Sequence, residues 1–218
     1  QCMIYMSETV SKHREAVIQS FQAKTKRVPG NFDDAQAQLT SDAKRHGWLQ
    51  IGAEPLSDRR ILYGYSHLAT ELIEEWKTNL PTHIFVPAGA GLLAAAMAGR
   101  LYREYEAAMP RVIVVQSHAA DSMTQSFATD SLRPSLGNLC TIMDGLAVKT
   151  ISEDAWSILQ ACGFGAVSIS DASAKKALQY LDRSFVPAPV KRIGETGIAG
   201  LAAIIEVAKS DEARRIFE

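Results

Sequence analysis

His83-Ile84-Phe85-Val86-Pro87-Ala88-Gly89-Ala90-Gly91-Leu92, running on into Leu93-Ala94-Ala95-Ala96-Met97-Ala98, decides the reading of this chain. A short apolar run enters a glycine turn, and the turn opens onto an alanine-rich stretch of high helical propensity, which predicts strand, tight loop, helix. The first turn of such a helix leaves backbone N–H groups unpaired and carries a partial positive charge. Glycine at 89 and 91 lets an anion such as a phosphate approach those amides closely, because no side chain holds it away. Glycine also punctuates strand-to-helix turns with no ligand at all, so this stretch leaves both readings open.

The 218 residues suffice for one large domain or two small ones. With 47% hydrophobic residues, 22% charged residues and a formal net charge of -1, the composition is that of a soluble globular protein. It provides no global basic field for nucleic acid or an anionic membrane. The longest strongly apolar run, about Gly91 to Gly99, is far short of the ~20 residues of a membrane span. Cys2, Cys140 and Cys162 are odd in number and widely spaced, giving neither a disulfide framework nor a metal clip and pointing to a cytoplasmic protein. The chain opens on Gln1 and is at once in strand-like sequence, which leads us to expect a segment of a longer polypeptide.

Outward from the glycine stretch, strands and helices alternate. Cys2 to Met6, Lys26 to Val28, Trp48 to Ile51, Arg111 to Gln116 and Ala166 to Ile169 read as strands. Helices are expected from Ser11 to Ala23, with Ala16, Val17, Phe21 and Ala23 as its apolar stripe, and from Asp33-Asp34 to about His46, closed by Gly47. Further helices are expected from Leu62 to Trp76, with Leu68, Leu72, Ile73 and Trp76 inward, and from the glycine loop to about Ala108. Asp154 to Cys162, Ala172 to Leu181 and Ile198 to Lys209 complete the set, and Ser126 to Asn138 reads as a long polar loop. The break at Gly52 to Arg60 predicts two lobes, 1–54 and 55–218. The expected class is α/β, two-lobed, with parallel-sheet layers and helices on both faces.

Short stretches in a fixed order then acquire a meaning together that none has alone. They are Ile4-Tyr5-Met6, Phe32-Asp33-Asp34-Ala35, His46-Gly47-Trp48, Gly64-Tyr65-Ser66-His67-Leu68-Ala69-Thr70-Glu71 and Ala88-Gly89-Ala90-Gly91. Ala120-Asp121, Thr141-Ile142-Met143-Asp144-Gly145-Leu146-Ala147-Val148 and Gly194-Glu195-Thr196-Gly197 follow. This series resembles the fold-type II pyridoxal-phosphate enzymes, and within them the ammonia-lyase branch. The resemblance implies that Gly89, Ala90, Gly91 and Leu92 hold the phosphate of pyridoxal 5'-phosphate. It further implies that Asp144 and Gly145 lie beside the cofactor ring and Glu195 near its pyridine edge, with 1–54 part of the small lobe and 55–218 most of the large, cofactor-binding one. The implied reaction is α,β-elimination on a small amino acid, giving pyruvate and ammonia from 2,3-diaminopropionate, in a parent that is a homodimer.

The chain departs from that pattern at several points. The Schiff-base lysine of the family belongs to a segment upstream of Gln1, and Lys24, Lys26, Lys44, Lys149, Lys175 and Lys191 lack its expected neighbours. The catalytic lysine is therefore unassigned. A further strand is expected beyond Glu218, and Ala53, beside Glu54, occupies the place of an aspartate. Gln116 stands where dehydratases offer an acid to a divalent cation, so no metal is expected. His67 and His83 read as structural, His118 as a somewhat better acid–base candidate, and Tyr63 and Tyr65 as packing at the lobe boundary. Three alternatives stay open: a threonine or serine dehydratase-like enzyme, a noncatalytic remnant, and a dinucleotide-binding module. Gly89, Gly91 and Ala94 satisfy G-x-G-x-x-A, although Gln116 replaces the acid a ribose would want.

Overall fold

A strand buried on both faces, Arg111–Ser117, organises the larger part of the molecule, because its residues 112–115 are apolar without interruption and none is accessible to solvent. The computed structural model describes residues 2–51, 55–77, 79–183 and 193–217; Ala53, Glu54, Lys191 and most of the stretch leading into Gly194 lie outside them. The chain forms two compact units, Gln1–Arg59 and Arg60–Glu218.

In the first unit, β1 (Met3–Ser7) pairs in parallel with β2 (Lys24–Val28) through the crossover helix α1 (Lys12–Ser20), and α2 (Phe32–His46) follows. Asn31 caps α2 in a reciprocal box with Asp34, and Gly47 ends it in the left-handed region at φ 66°. The expected apolar stripe of α1 is not inward: Val17 is exposed and Phe21 is 80% exposed. The polar residues of α1 meet the sheet instead. Glu15 accepts hydrogen bonds from Thr25 and Arg27, and Gln19 donates to Thr25. Arg27 and Thr25 thereby hold the Glu15 carboxyl below its ordinary value. The expected strand Trp48 to Ile51 is irregular backbone, with Leu49 77% exposed and Trp48 stacked on His46 at 4.7 Å.

Helix α3 (Pro55–Trp76) begins in the last residues of the first unit and continues as the first element of the second; it starts earlier than expected because proline is well suited to a first helical turn. Its inward residues are Leu62, Ala69, Ile73 and Trp76, whereas Leu68 is exposed. Tyr63, Tyr65 and His67 are exposed as well, with the His67 ring edge-on to Tyr63. Then come β3 (His83–Pro87), α4 (Leu92–Tyr105), β4 (Arg111–Ser117), α5 (Ser122–Thr129), α6 (Glu153–Cys162), β5 (Gly165–Ile169), α7 (Asp171–Arg183), α8 (Ala199–Lys209) and α9 (Asp211–Phe217). The helix expected to reach Ala108 ends at Tyr105, where a turn of 3-10 helix takes over. Helix α5 occupies the first residues of the expected loop.

The sheet is parallel in the order β3-β4-β5. On one face, Val86, Val112 and Val114 pack with Ala95, Ala98 and Leu101 of α4 and Trp156 and Leu159 of α6. On the other, Val115 and Ile169 pack with Ala174 and Ala177 of α7 and Ala199, Ala202 and Ala203 of α8. Small residues on α4 and α8 bring the helices close to the strands; a Cβ at Gly200 would lie 2.7 Å from the Phe85 carbonyl oxygen. No helix of the described residues is long and apolar enough to cross a membrane.

Asp42 is the electrostatic centre of the first unit. It is 5% exposed, and its Oδ2 accepts from Tyr5 and from Lys26, each at 2.6 Å, while Oδ1 accepts from Gln38 at 3.0 Å. The Lys26 and Tyr5 hydrogen bonds outweigh burial and hold the carboxyl down at about 2. Burial, then the Asp42 bond, pushes the Tyr5 phenol up to about 12. Because the carboxyl titrates lower in the folded chain than its ordinary 3.8, its stabilisation is complete above that value and is lost as pH falls toward about 2. Thermal melts across this acid window check it: the wild type loses melting temperature as pH falls, and Asp42→Asn, lower at neutral pH, flattens the dependence. Parallel curves would contradict the network.

Candidate functional site

The glycine loop leaves β3 at the carboxyl edge of the sheet. The Ala88 N–H donates to the Val115 carbonyl at 2.9 Å, extending the β3–β4 ladder by one bond, and the backbone then turns. Gly91 makes the turn in the left-handed region at φ 90° and serves as the N-cap of α4, with no side-chain cap bond. The cap is therefore backbone alone, and the first-turn amides keep their affinity for an anion. The space under the loop is as restrictive as the angle. A Cβ at Gly91 would lie 2.7 Å from Met123 Cε and 3.2 Å from Ile151 Cγ2. Leu92 packs against the core on that side, and the Ala90 carbonyl accepts from the Ser152 N–H at 3.0 Å, at the start of α6.

A second wall comes from the 3-10 turn Asp144–Leu146. A Cβ at Gly89 would lie 2.5 Å from the Gly145 carbonyl oxygen and 2.9 Å from Val148 Cγ2. The Gly145 N–H donates to Thr196 Oγ1 at 3.1 Å, and a Cβ at Gly145 would lie 2.9 Å from Thr196 Cγ2. Three segments far apart in sequence, 88–92, 144–146 and 194–197, thus meet at one point. Of the predicted residues, Gly89 and Gly145 touch, Ala90, Gly91 and Leu92 continue the loop, and Asp144 and Glu195 flank the contact along the chain. Asp144 is exposed and Glu195 half-buried. Thr196 was not singled out from the sequence, although its motif was; a threonine hydroxyl facing a glycine amide leaves no periodic signal.

Behind the loop, Gln116 is fully buried. Its Oε1 accepts from the Met123 N–H at 2.6 Å, and its Nε2 donates toward the Ala88 carbonyl and Ser122 Oγ. Its amide is spent on joining β4, α5 and the loop, which takes away the support that a ribose-facing side chain would have given the dinucleotide reading. Asp121 Oδ1 accepts from Ser135 at 2.8 Å and Oδ2 from Gln125 at 2.9 Å. Burial alone would raise that carboxyl, but these bonds, its own N–H and the nearby His118 charge together lower it. His118 is exposed, and His83 is half-buried with Nδ1 2.9 Å from Thr82 Oγ1, at the other end of the sheet from the loop.

A glycine loop at the start of a helix, met by a glycine turn at the carboxyl ends of parallel strands, marks an α/β protein with a backbone-built site, and comparison with known families makes the class specific. Residues 1–215 match the family described as pyridoxal-phosphate dependent enzyme, and the chain belongs to it. It is 26% identical over 223 residues to the diaminopropionate ammonia-lyase of Escherichia coli K12, covering 99% of this chain and 56% of that protein. The chain thus spans about half the length of the curated relatives it matches. The solved structure of diaminopropionate ammonia lyase from Escherichia coli in complex with D-serine superposes with a TM-score of 0.85 at 25% identity, covering 98% of this chain and 55% of that one. The T.th. threonine deaminase shares the fold, with a TM-score of 0.80 at 19% identity, over 95% of this chain and 65% of that one.

Gly91→Ala places a side chain at positive φ and against the flexible end of Met123, whereas at Gly89 the φ is ordinary but a Cβ would meet the Gly145 carbonyl oxygen and Val148. In urea denaturation Gly91→Ala is expected to cost about 1–3 kcal/mol through its backbone strain, and Gly89→Ala is expected to be destabilising as well, through its clash with the Gly145 carbonyl. An unaffected Gly91→Ala would contradict the strained cap.

Proposed function

We propose that this chain forms the phosphate-anchoring portion of a pyridoxal 5'-phosphate-dependent ammonia-lyase, acting on a small amino acid by α,β-elimination, with 2,3-diaminopropionate giving pyruvate and ammonia. The observation that carries the reading is the glycine contact of the loop: a Cβ at Gly89 would meet the Gly145 carbonyl oxygen and a Cβ at Gly145 would meet Thr196, so loop and opposing turn come together backbone to backbone beside the start of α4. When bound, the cofactor supplies an electron sink for charge developing at the substrate Cα.

The residues of this chain do the holding. Amides from Gly89 to Leu92 bind the phosphate, with the α4 dipole behind them. Asp144 and Gly145 border the ring and steer it. Glu195 lies near its pyridine edge, held there by the turn that Thr196 bonds to Gly145. Gln116 fixes the Ala88 carbonyl from which the cup begins. A cytoplasmic setting and a homodimeric full-length protein belong to the same proposal. Cys2, Cys140 and Cys162, all unpaired, support the former. A threonine or serine dehydratase-like activity is the second reading, supported by the shared fold of the threonine deaminase.

Titration with pyridoxal phosphate tests the cup, followed by the fluorescence of Trp156, which lies in the core under the loop. Saturable binding is expected, competed by inorganic phosphate and weakened at least tenfold in Gly89→Val. Absence of binding, or preference for a nicotinamide dinucleotide, would contradict the reading. In the full-length protein, pyruvate release is expected to be faster from 2,3-diaminopropionate than from serine, and the reverse order would favour the dehydratase reading.

A further inference from the structure

The turn that closes the cup is not held by the cup itself. Residues 130–143 are irregular backbone between α5 and the 3-10 turn, and such a stretch has no regular ladder to fix the height of Gly145 over Gly89. One carboxylate bonds to the end of this stretch. Asp171 is the first residue of α7, two residues after β5, and so lies at the same carboxyl edge of the sheet as the glycine loop. Its Oδ1 accepts from the Thr141 hydroxyl at 2.5 Å and its Oδ2 from the Ile142 N–H at 3.0 Å. The bonds then pass along the turn. Thr141 Oγ1 accepts from the Met143 N–H at 3.1 Å, the Met143 carbonyl from the Leu146 N–H at 2.7 Å, and the Asp144 carbonyl from the Ala147 N–H at 3.1 Å. Met143 and Leu146 anchor the turn in the α7–α8 core with no more than 1% exposure, leaving Gly145 to project between Gly89 and Thr196.

We propose that Asp171 is a positioning residue for the cofactor cup: its two-oxygen grip on Thr141 and Ile142 sets where the Gly145 carbonyl stands opposite Gly89. The inference rests on the functional reading above. A hydrogen bond to a charged group is stronger than a neutral one, and a carboxylate at a helix N-terminus is itself favoured by the helix dipole. The grip therefore holds the turn against the entropy of the irregular stretch before it. Loss of the carboxylate frees the Thr141 hydroxyl and the Ile142 amide together, and the Gly145 wall moves as a unit.

Two measurements on the same proteins test this. Asp171→Ala and Thr141→Val are each expected to weaken pyridoxal phosphate binding roughly tenfold, with Thr141→Ser close to wild type. Amide hydrogen exchange is expected to quicken about tenfold in peptides covering 142–147, and to a smaller extent in 88–92, with 32–46 unchanged. Thr141→Val leaves α7 intact and keeps the test informative if Asp171→Ala fails to fold. A lowered melting temperature in both variants with unchanged affinity and unchanged exchange at 142–147 would overturn the assignment and leave Asp171 with a part in overall stability only. If the wild type takes up no pyridoxal phosphate, the functional reading fails, and the exchange pattern alone decides whether Asp171 holds the turn.

Discussion

The closest approach in the site is between two pieces of backbone: the Cα of Gly89 faces the carbonyl oxygen of Gly145 with no room for a methyl group between them. Much of the larger unit can be traced from that contact. It requires glycine at 89, as the neighbouring Thr196 contact requires it at 145, and it requires the β3–α4 turn and the 144–146 turn to be brought to the same edge. Backbone amides at a helix start are good anion ligands only when fixed in advance, because their orientation then costs nothing at the moment of binding. Fixing them takes the Gly91 cap, the Ser152 bond to Ala90 and the Gln116 bridge.

The sheet supplies the rigid base. A parallel β3-β4-β5 order directs the carboxyl ends of all three strands one way, so the loop after β3, the segment after β4 and the start of α7 after β5 converge without any need for long reach. Helices on both faces go with an apolar run at residues 112–115 of the central strand, and the alanines of α4 and α8 let those helices approach closely enough to seal it. The first unit is held differently. Its two-stranded sheet has few buried apolar groups, and the Asp42 cluster of Tyr5, Lys26 and Gln38 provides its polar centre.

The parts of this arrangement that carry a local signal were legible in the sequence. The strand from His83, the glycine turn and the helix after it were readable because a short apolar run, a glycine break and an alanine-rich stretch follow one another as strand, turn and helix signals. The α2 boundaries were readable for the same reason, from Asp33-Asp34 and Gly47. What was misread depended on partners. Trp48 to Ile51 has strand composition, but its apolar residues Trp48, Leu49 and Ile51 are exposed and no described strand lies beside it. In α1 the apolar residues follow helical spacing, yet the sheet beside them offers Thr25 and Arg27, so the polar face turns inward. Helix α5 is short and rich in Ser and Thr, which favour turns on propensity; Gln116, seven residues back from Met123, caps it through a side chain that no local pattern reveals. Gly145 and Thr196 are 51 residues apart, and their contact is a property of the fold alone.

The amides from Gly89 to Leu92 are the proposed anion site. Two-dimensional amide NMR of the isotopically labelled protein, titrated with inorganic phosphate, reads those groups one by one. The account predicts that Gly89, Ala90, Gly91 and Leu92 shift together and saturate together, with Gly145 following as the opposing wall. Phosphate-dependent shifts confined to surface lysines, with these five amides unmoved, would contradict it.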